Sequence, residues 1–303
     1  MTGAGGAQRC GVVAVVGAPN AGKSTLVNQL VGAKVSIVTH KVQTTRTRIR
    51  GIAMHGDSQI VFVDTPGIFT AKRRLERAMV QAAWAGVEDA DVVVVIHDAG
   101  RRQVSDETRQ VIAGLAQSRR EVVLVLNKID LVKREKLLDL AAELSALGTF
   151  SKVFMVSALE GDGTGDLLAY LAGRMPEGPW LFPEDQLSDL SLRVLAAEIT
   201  REKLFLNLHQ ELPYELTVET ETWEDFKDGS ARVQQVVYVG REQHKAICLG
   251  KGGKTIRLVR EAAQKEMAEA FGQPIHLFIF VKVRENWLND PERYRNLGLE
   301  FDA

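Results

Sequence analysis

The sequence predicts an α/β chain in two parts: a doubly wound domain with a mostly parallel sheet, then a smaller α+β domain. Three observations predict this. From Gly11 to about Leu171, short and nearly continuous apolar runs alternate with amphipathic stretches, the pattern of parallel strands covered on both faces by helices. "GRMPEGPWLFPED", Gly173 to Asp185, then collects prolines and glycines and breaks the alternation. After it the order of elements changes.

The first-domain strands are "VVAVVG", "IVFVD", "DVVVVIHD", "EVVLVLNK" and "KVFMVSA", and the helices between them run roughly over Lys23–Val31, Lys72–Glu88, Asp106–Gln117, Arg134–Leu147 and Thr164–Leu171. Beyond the break come a helix from Ser188 to about Leu206, strands "YELTVET" and "ARVQQVVYVG", a helical turn, the loop "GKGG", a helix from Lys254 to about Phe271, and the strand "IHLFIFVKV". That α-β-β-α-α-β order is no repeat of the first domain. The expected division is a leader at 1–10, a first domain at 11–173, a linker at 174–186, a second domain at 187–284 and a tail at 285–303.

Composition limits the functions available. The chain has 303 residues, 45% hydrophobic and 25% charged, enough for two packed cores. It contains no apolar run of about 18 residues, so no spanning helix is expected, and "MTGAGGAQR" lacks the apolar stretch of a signal peptide. Its two cysteines, Cys10 and Cys248, have no metal-ligand spacing and read as reduced cytosolic thiols. Net charge is −1, but residues 180–303 hold 16 basic against 21 acidic side chains, so any nucleic-acid site there must be local.

The chemistry is carried by four motifs. "GAPNAGKST" comprises Gly17, Ala18, Pro19, Asn20, Ala21, Gly22, Lys23, Ser24 and Thr25, and lies between a strand and a helix. Its N–H groups suit a β-phosphate, Lys23 supplies a cation for the β- and γ-phosphates, and Ser24 offers a hydroxyl to Mg²⁺. Asp64 ends "IVFVD", within reach of the metal shell, and Gly67 of "DTPG" lets a backbone N–H approach the γ-phosphate. In "NKID", Asp130 accepts from guanine N1–H and N2–H₂, Asn127 bonds the base edge and nearby loops, and the Lys128 stem covers the ring. "SAL", Ser157, Ala158 and Leu159, completes the base pocket. Adenine presents an acceptor where Asp130 needs a donor. Together these motifs specify a P-loop GTPase domain.

The set "GAPNAGKS", "QTTR", "DTPG", "NKID" and "SAL" resembles the Era branch of the TrmE-Era-EngA-like small GTPases, and the likeness runs through the second domain. The resemblance implies a switch threonine that binds Mg²⁺ and takes part in hydrolysis, at Thr44 or Thr45, alongside Lys23 and Gly67. Ile68 stands where Ras-type enzymes have a water-orienting glutamine, so slow intrinsic turnover is expected, with K⁺ or a partner supplying acceleration. Asn20 matches the asparagine that holds an activating K⁺ in some relatives. Arg46 and Arg48 read as solvated surface or RNA contacts before a catalytic arginine in cis.

The second domain resembles a type II KH domain, whose G-x-x-G loop clamps about four single-stranded nucleotides. The expected RNA-binding residues are Arg241, Lys245, Gly250, Lys251, Gly252, Gly253, Lys254 and Arg257, in a stretch with one acid, Glu242. Lys282 and Trp287 downstream are candidates to reach or stack on bases, with packing of the C-terminal tail the leading reading for the tryptophan. The resemblance further implies a GTP-driven switch that binds the 3′ end of 16S ribosomal RNA and assists 30S assembly, in a cytoplasmic monomer with peripheral attachment to the inner membrane. The rival readings are a GTPase whose second domain binds protein or membrane, and a small-molecule kinase, which "NKID" disfavours.

Overall fold

The computed structural model describes residues 7–41, 44–46, 48–101, 103–208, 212–285, 287, 291, 294 and 299–301. Most of the expected leader and tail, and Gln43 of "QTTR", lie outside them. The chain divides into two compact units, one of Met1–Ser36, Thr45–Asp189 and Leu297–Ala303, the other of Ile37–Thr44 and Leu190–Asn296.

The first unit contains β1 (Arg9–Val16), α1 (Lys23–Val31), β2 (Ile49–His55), β3 (Ser58–Asp64), α2 (Arg74–Glu88), β4 (Val92–Asp98), α3 (Asp106–Leu115), β5 (Glu121–Asn127), α4 (Arg134–Ser145), β6 (Lys152–Val156) and α5 (Thr164–Ala172). Its sheet order is β2-β3-β1-β4-β5-β6. All neighbours are parallel except β2, which runs antiparallel to β3. Valine-rich β1, β4 and β5 are central and buried on both faces, as their uninterrupted apolar runs require. One core lies toward α1 and α5, with Leu26, Phe62 and Leu167, and the other toward α2, α3 and α4, with Ala83, Val111 and Leu144.

Two expectations need correction here. β1 begins at Arg9, inside the stretch read as leader, because the Arg9 N–H donates to Asp57 O (3.0 Å) and the Cys10 N–H to Pro176 O (3.0 Å). The 174–186 stretch is not a free linker. The buried Gln59 side chain donates to Phe182 O (2.7 Å) and accepts from the Leu181 and Phe182 N–H groups (2.9 and 3.0 Å), tying that stretch to β3.

The second unit contains α6 (Leu192–Asn207), β7 (Leu216–Asp225), β8 (Ala231–Val239), α7 (Glu242–Leu249), α8 (Lys254–Phe271) and β9 (Ile275–Val283). The sheet order is β7-β8-β9, antiparallel then parallel. One sheet face packs on the helices through Val218, Val233, Val237, Leu277 and the α8 residues Val259, Ala263 and Met267. The Ser191 hydroxyl caps α6 by accepting the Val194 N–H. The segment Ile37–Thr44 belongs to this unit: the Val38 N–H donates to Glu202 Oε1 (2.8 Å), and the Lys41 ammonium donates to the Phe205 and Leu208 carbonyls at the end of α6.

Candidate functional site

In the first unit, the sequence motifs converge at the carboxyl ends of the parallel strands, where ligands of open α/β sheets bind. The loop after β1 turns sharply into α1. Gly22 has φ of 97°, and a Cβ there would stand 2.2 Å from Asn127 Nδ2, so the position admits only glycine. Because α1 starts at Lys23, its first N–H groups have no intrahelical acceptor and form an anion site.

Side chains hold the carbonyls of this loop one after another. Lys23 Nζ donates to Gly17 O (3.2 Å) and Ala18 O (3.0 Å), Arg101 to Pro19 O (3.0 Å), Lys128 to Asn20 O (3.0 Å), and Asn127 Nδ2 to Ala21 O (2.9 Å). Five consecutive acceptors are thereby occupied, and the loop's remaining polarity is that of donors. Burial pushes the Lys23 ammonium down to about 8, against the opposing pull of the Asp64 carboxylate. Lys23 is only 6% exposed.

Beside the loop lies a cluster of oxygens. Ser24 Oγ donates to Asp64 Oδ2 (2.6 Å) and lies 3.0 Å from Thr45 Oγ1, which in turn donates to Asp64 Oδ2 (3.4 Å). Asp64 is fully buried, and its Oδ1 has no hydrogen-bond partner among the described residues. Burial raises the Asp64 carboxyl above its ordinary range, with the Ser24 hydrogen bond and the Lys23 charge acting the other way. Two hydroxyls and an under-satisfied buried carboxylate form the hard-oxygen set that a small divalent cation takes.

Of the two switch threonines, only Thr45 joins this cluster. Thr44 is placed elsewhere: its hydroxyl donates to Lys41 O (2.7 Å) and pairs with the Thr39 hydroxyl, inside the second unit. The structure thus places Thr45, and not Thr44, beside the Asp64 oxygens. Arg46 is buried at 3% exposure and is no surface residue, whereas Arg48 pairs with Asp89 at 3.3 Å. Ile68 is 3% exposed in the core beside Ala83 and Val111, and its N–H donates to Gly17 O (3.2 Å), so it anchors the "DTPG" loop. Its side chain has no polar group to orient water.

The base-pocket motifs also meet. Asn127 Oδ1 accepts the Ala158 N–H (2.9 Å) while its amide holds Ala21 O, so one side chain joins three loops. Ser157 Oγ donates to Asp130 Oδ1 (2.6 Å). Lys128, at φ of 66°, pairs with Asp98 Oδ2 at 2.7 Å. Leu159 is 75% exposed. Asp98 and Arg101 escaped the sequence reading. Asp98 had a signal, since it closes an apolar strand as Asp64 does, but Arg101 lies in no motif.

In the second unit, Gly250, Gly252 and Gly253 all have positive φ (71°, 61° and 75°), so the "GKGG" turn between α7 and α8 needs its glycines. A Cβ at Gly252 or Gly253 would meet nothing within 4 Å, leaving the turn open to an approaching backbone. Lys251, Lys254 and Arg257 are exposed in or just after it, Lys245 on α7 is half-buried, and Arg241, also exposed, lies at the far end of α7 from the turn. Lys282 is not among them: it alternates with the core-facing Val281 and Val283, stands on the sheet face away from the helices, and pairs with Glu221 at 3.1 Å. Trp287 must be withdrawn as a base-stacking residue. It is 3% exposed, and its indole N–H donates to Glu215 O (3.1 Å), so it packs the tail onto the domain.

Comparison with known proteins follows the same division. Residues 12–128 match the model of the 50S ribosome-binding GTPase family, and residues 211–288 match the KH domain model. GTPase Era of Rhizobium meliloti (strain 1021) is 59% identical over 293 residues, 97% of this chain and 93% of the relative. GTPase Era of Brucella suis biovar 1 (strain 1330) is 58% identical, with coverage of 97% and 94%. A crystal structure of Era in complex with MgGDPNP and nucleotides 1506–1542 of 16S ribosomal RNA superposes with a TM-score of 0.90 at 34% identity, covering 96% of this chain and 99% of that one. An Aquifex aeolicus Era variant bound to GDP and AlF₄⁻ gives the same values.

Proposed function

This chain belongs to the Era family of GTPases and hydrolyses GTP, and from that premise we propose that it binds the 3′ end of 16S ribosomal RNA through its KH domain and assists 30S subunit assembly. The observation that carries the reading is the pairing of two sites in one chain: the anion loop with its Ser24–Thr45–Asp64 oxygens, and a three-glycine turn that carries the exposed cations Lys251, Lys254 and Arg257.

In this reading the Ser24 and Thr45 hydroxyls and the Asp64 carboxylate, clustered by their mutual hydrogen bonds, would hold Mg²⁺. The ion, when bound, neutralises charge on the β- and γ-phosphates. The chain does the rest. Loop N–H groups and Lys23 grip the phosphates, the Gly67 N–H meets the γ-phosphate, and Asp130 selects guanine. No described side chain of the "DTPG" loop abstracts a proton from water, which fits slow intrinsic turnover. GTP orders the segment through Thr45 and hydrolysis releases it.

We propose further that a K⁺ held by Asn20 supports turnover. Exchanging K⁺ for Na⁺ at equal ionic strength then lowers the rate, and Asn20→Ala removes most of the difference; equal rates in the two salts refute it. Cytoplasmic residence belongs to the same reading, whereas peripheral membrane contact follows from the family resemblance alone and is tested by flotation with anionic vesicles. The central test is GTP turnover with a 16S 3′-end RNA, an unrelated RNA of equal length, or none. Binding and a rate response to the first alone support the proposal. Equal responses to both RNAs refute it and favour a protein partner.

A further inference from the structure

We infer that Arg101 is a positioning residue for GTP hydrolysis, fixing the Pro19 turn of the phosphate loop against the Gly67 loop. The inference rests on the nucleotide reading above and adds to it a residue from outside every motif.

Of the five consecutive loop carbonyls, four are held by motif residues, Lys23, Lys128 and Asn127; the fifth, Pro19 O, is held by Arg101 Nη2 at 3.0 Å. Pro19 lacks an N–H, so its carbonyl is its sole main-chain hydrogen-bonding group. Arg101 is itself placed by the end of β4: its N–H donates to Asp98 O (3.2 Å), and Asp98 pairs with Lys128 across the loop. One strand end thus holds two neighbouring loop carbonyls through two cations.

Pro19 is also the part of the loop that meets the γ-phosphate sensor. A Cβ on Gly67 would lie 3.0 Å from Pro19 Cγ and 3.1 Å from both Pro19 Cα and N, so the two loops pack closely and a side chain there would have to push Pro19 aside. The Ile68 N–H donates to Gly17 O (3.2 Å) one step away. A guanidinium on Pro19 O therefore controls how closely Gly67 is held to the loop. The β-phosphate and guanine contacts belong to Gly22–Ser24 and Asp130 and do not pass through Pro19. Removing the Arg101 side chain accordingly acts on steps that need the γ-phosphate and spares GDP binding.

The test is kinetic, on the full chain. Arg101→Ala is expected to lower kcat for GTP by about tenfold or more, the scale of losing a charge-assisted hydrogen bond, while GDP Kd changes by less than about threefold. Arg101→Lys, which keeps a cationic donor, restores part of the rate. An unchanged kcat overturns the inference. Equal losses in kcat and GDP affinity overturn it in favour of a general structural role. Should Arg101→Ala fail to fold, Arg101→Lys and Arg101→Gln decide by the same split between kcat and GDP affinity. Failure of the unmodified chain to bind GDP refutes the nucleotide reading itself, a separate result.

Discussion

The Asp130 carboxylate accepts a hydrogen bond from the Ser157 hydroxyl at 2.6 Å, which joins the "NKID" and "SAL" motifs into one pocket wall. That bond fixes the carboxylate and leaves its other oxygen for a ligand. Guanine offers N1–H and N2–H₂ to such an acceptor, whereas an asparagine in its place presents a donor on one side. Asp130→Asn is therefore expected to weaken GTP binding at least tenfold, about 1.4 kcal/mol or more, and to raise affinity for xanthosine triphosphate. Competition binding with both nucleotides checks this. Unchanged GTP affinity with no gain for the xanthine nucleotide would mean the base sits elsewhere.

The two switch threonines separate cleanly. Thr45 shares the oxygen cluster with Ser24 and Asp64, and Thr44 bonds Lys41 O. Thr45→Ala is expected to shift the Mg²⁺ titration of GTP affinity to higher concentration and to reduce turnover at least tenfold, whereas Thr44→Ala leaves the Mg²⁺ titration where it was. Titrating Mg²⁺ against bound fluorescent GTP analogue, variant by variant, is the measurement. A reversed order would transfer the ligand role to Thr44.

The parts of the site that were legible in the sequence are those where backbone geometry or base chemistry dictates the residue type. Gly22 must be glycine because Asn127 fills the space of a Cβ, and Asn127 must be an amide because it donates to Ala21 O while accepting from Ala158. What stayed hidden has physical reasons too. Strand β2, "IRGIAMH", has a charged and a glycine residue at its second and third positions, and takes its place by antiparallel pairing with β3. Arg101 reaches a backbone carbonyl, a partner that leaves no sequence pattern. Trp287 near basic residues looks the same in sequence whether it stacks on bases or fills the core; its bond to Glu215 O decides for the core. The choice between Thr44 and Thr45 depends on which of two adjacent hydroxyls faces Asp64, which spacing does not encode.

Buried His97 on β4 gives the first unit an acid-sensitive point. Its Nδ1 lies 3.2 Å from Thr108 Oγ1, it is 1% exposed, and burial pushes its pKa down to about 4 from 6.5. Above about pH 6.5 the imidazole is neutral in folded and unfolded chains alike and costs nothing. As pH falls toward 4 the unfolded chain takes up the proton and the folded one does not, so stability drops through that window and the loss levels off below it. The full loss is on the order of 3 kcal/mol, at about 1.4 kcal/mol per pH unit. His97→Gln is expected to lose correspondingly less between pH 7 and pH 4.5, measured as the difference in urea midpoints. Parallel midpoint shifts in the two proteins would show that other groups carry the acid sensitivity.

Lys251 and Lys254 flank a turn whose three glycines have positive φ, and both side chains are exposed. If that turn clamps single-stranded RNA, each lysine neutralises a phosphate and releases a counterion, and the salt dependence records it. Changing both to Glu is expected to weaken binding to the 16S 3′-end RNA by more than about a hundredfold, and to flatten the log–log salt slope by about 0.7 for each phosphate no longer neutralised. GTP affinity is expected to hold, since the nucleotide motifs belong to the other unit. A separate variant distinguishes loop geometry from charge. Gly252 has φ of 61° and open space around it, so Gly252→Asp, with a compensating lysine placed far from the loop, keeps net charge and disturbs the turn. A clamp requires that this variant also lose RNA binding, because a side chain would stand where the RNA backbone approaches. Filter binding across a salt series for all three proteins makes the comparison. Two variants that bind as the parent does would reduce "GKGG" to a connector between helices and move the RNA-binding surface off this domain.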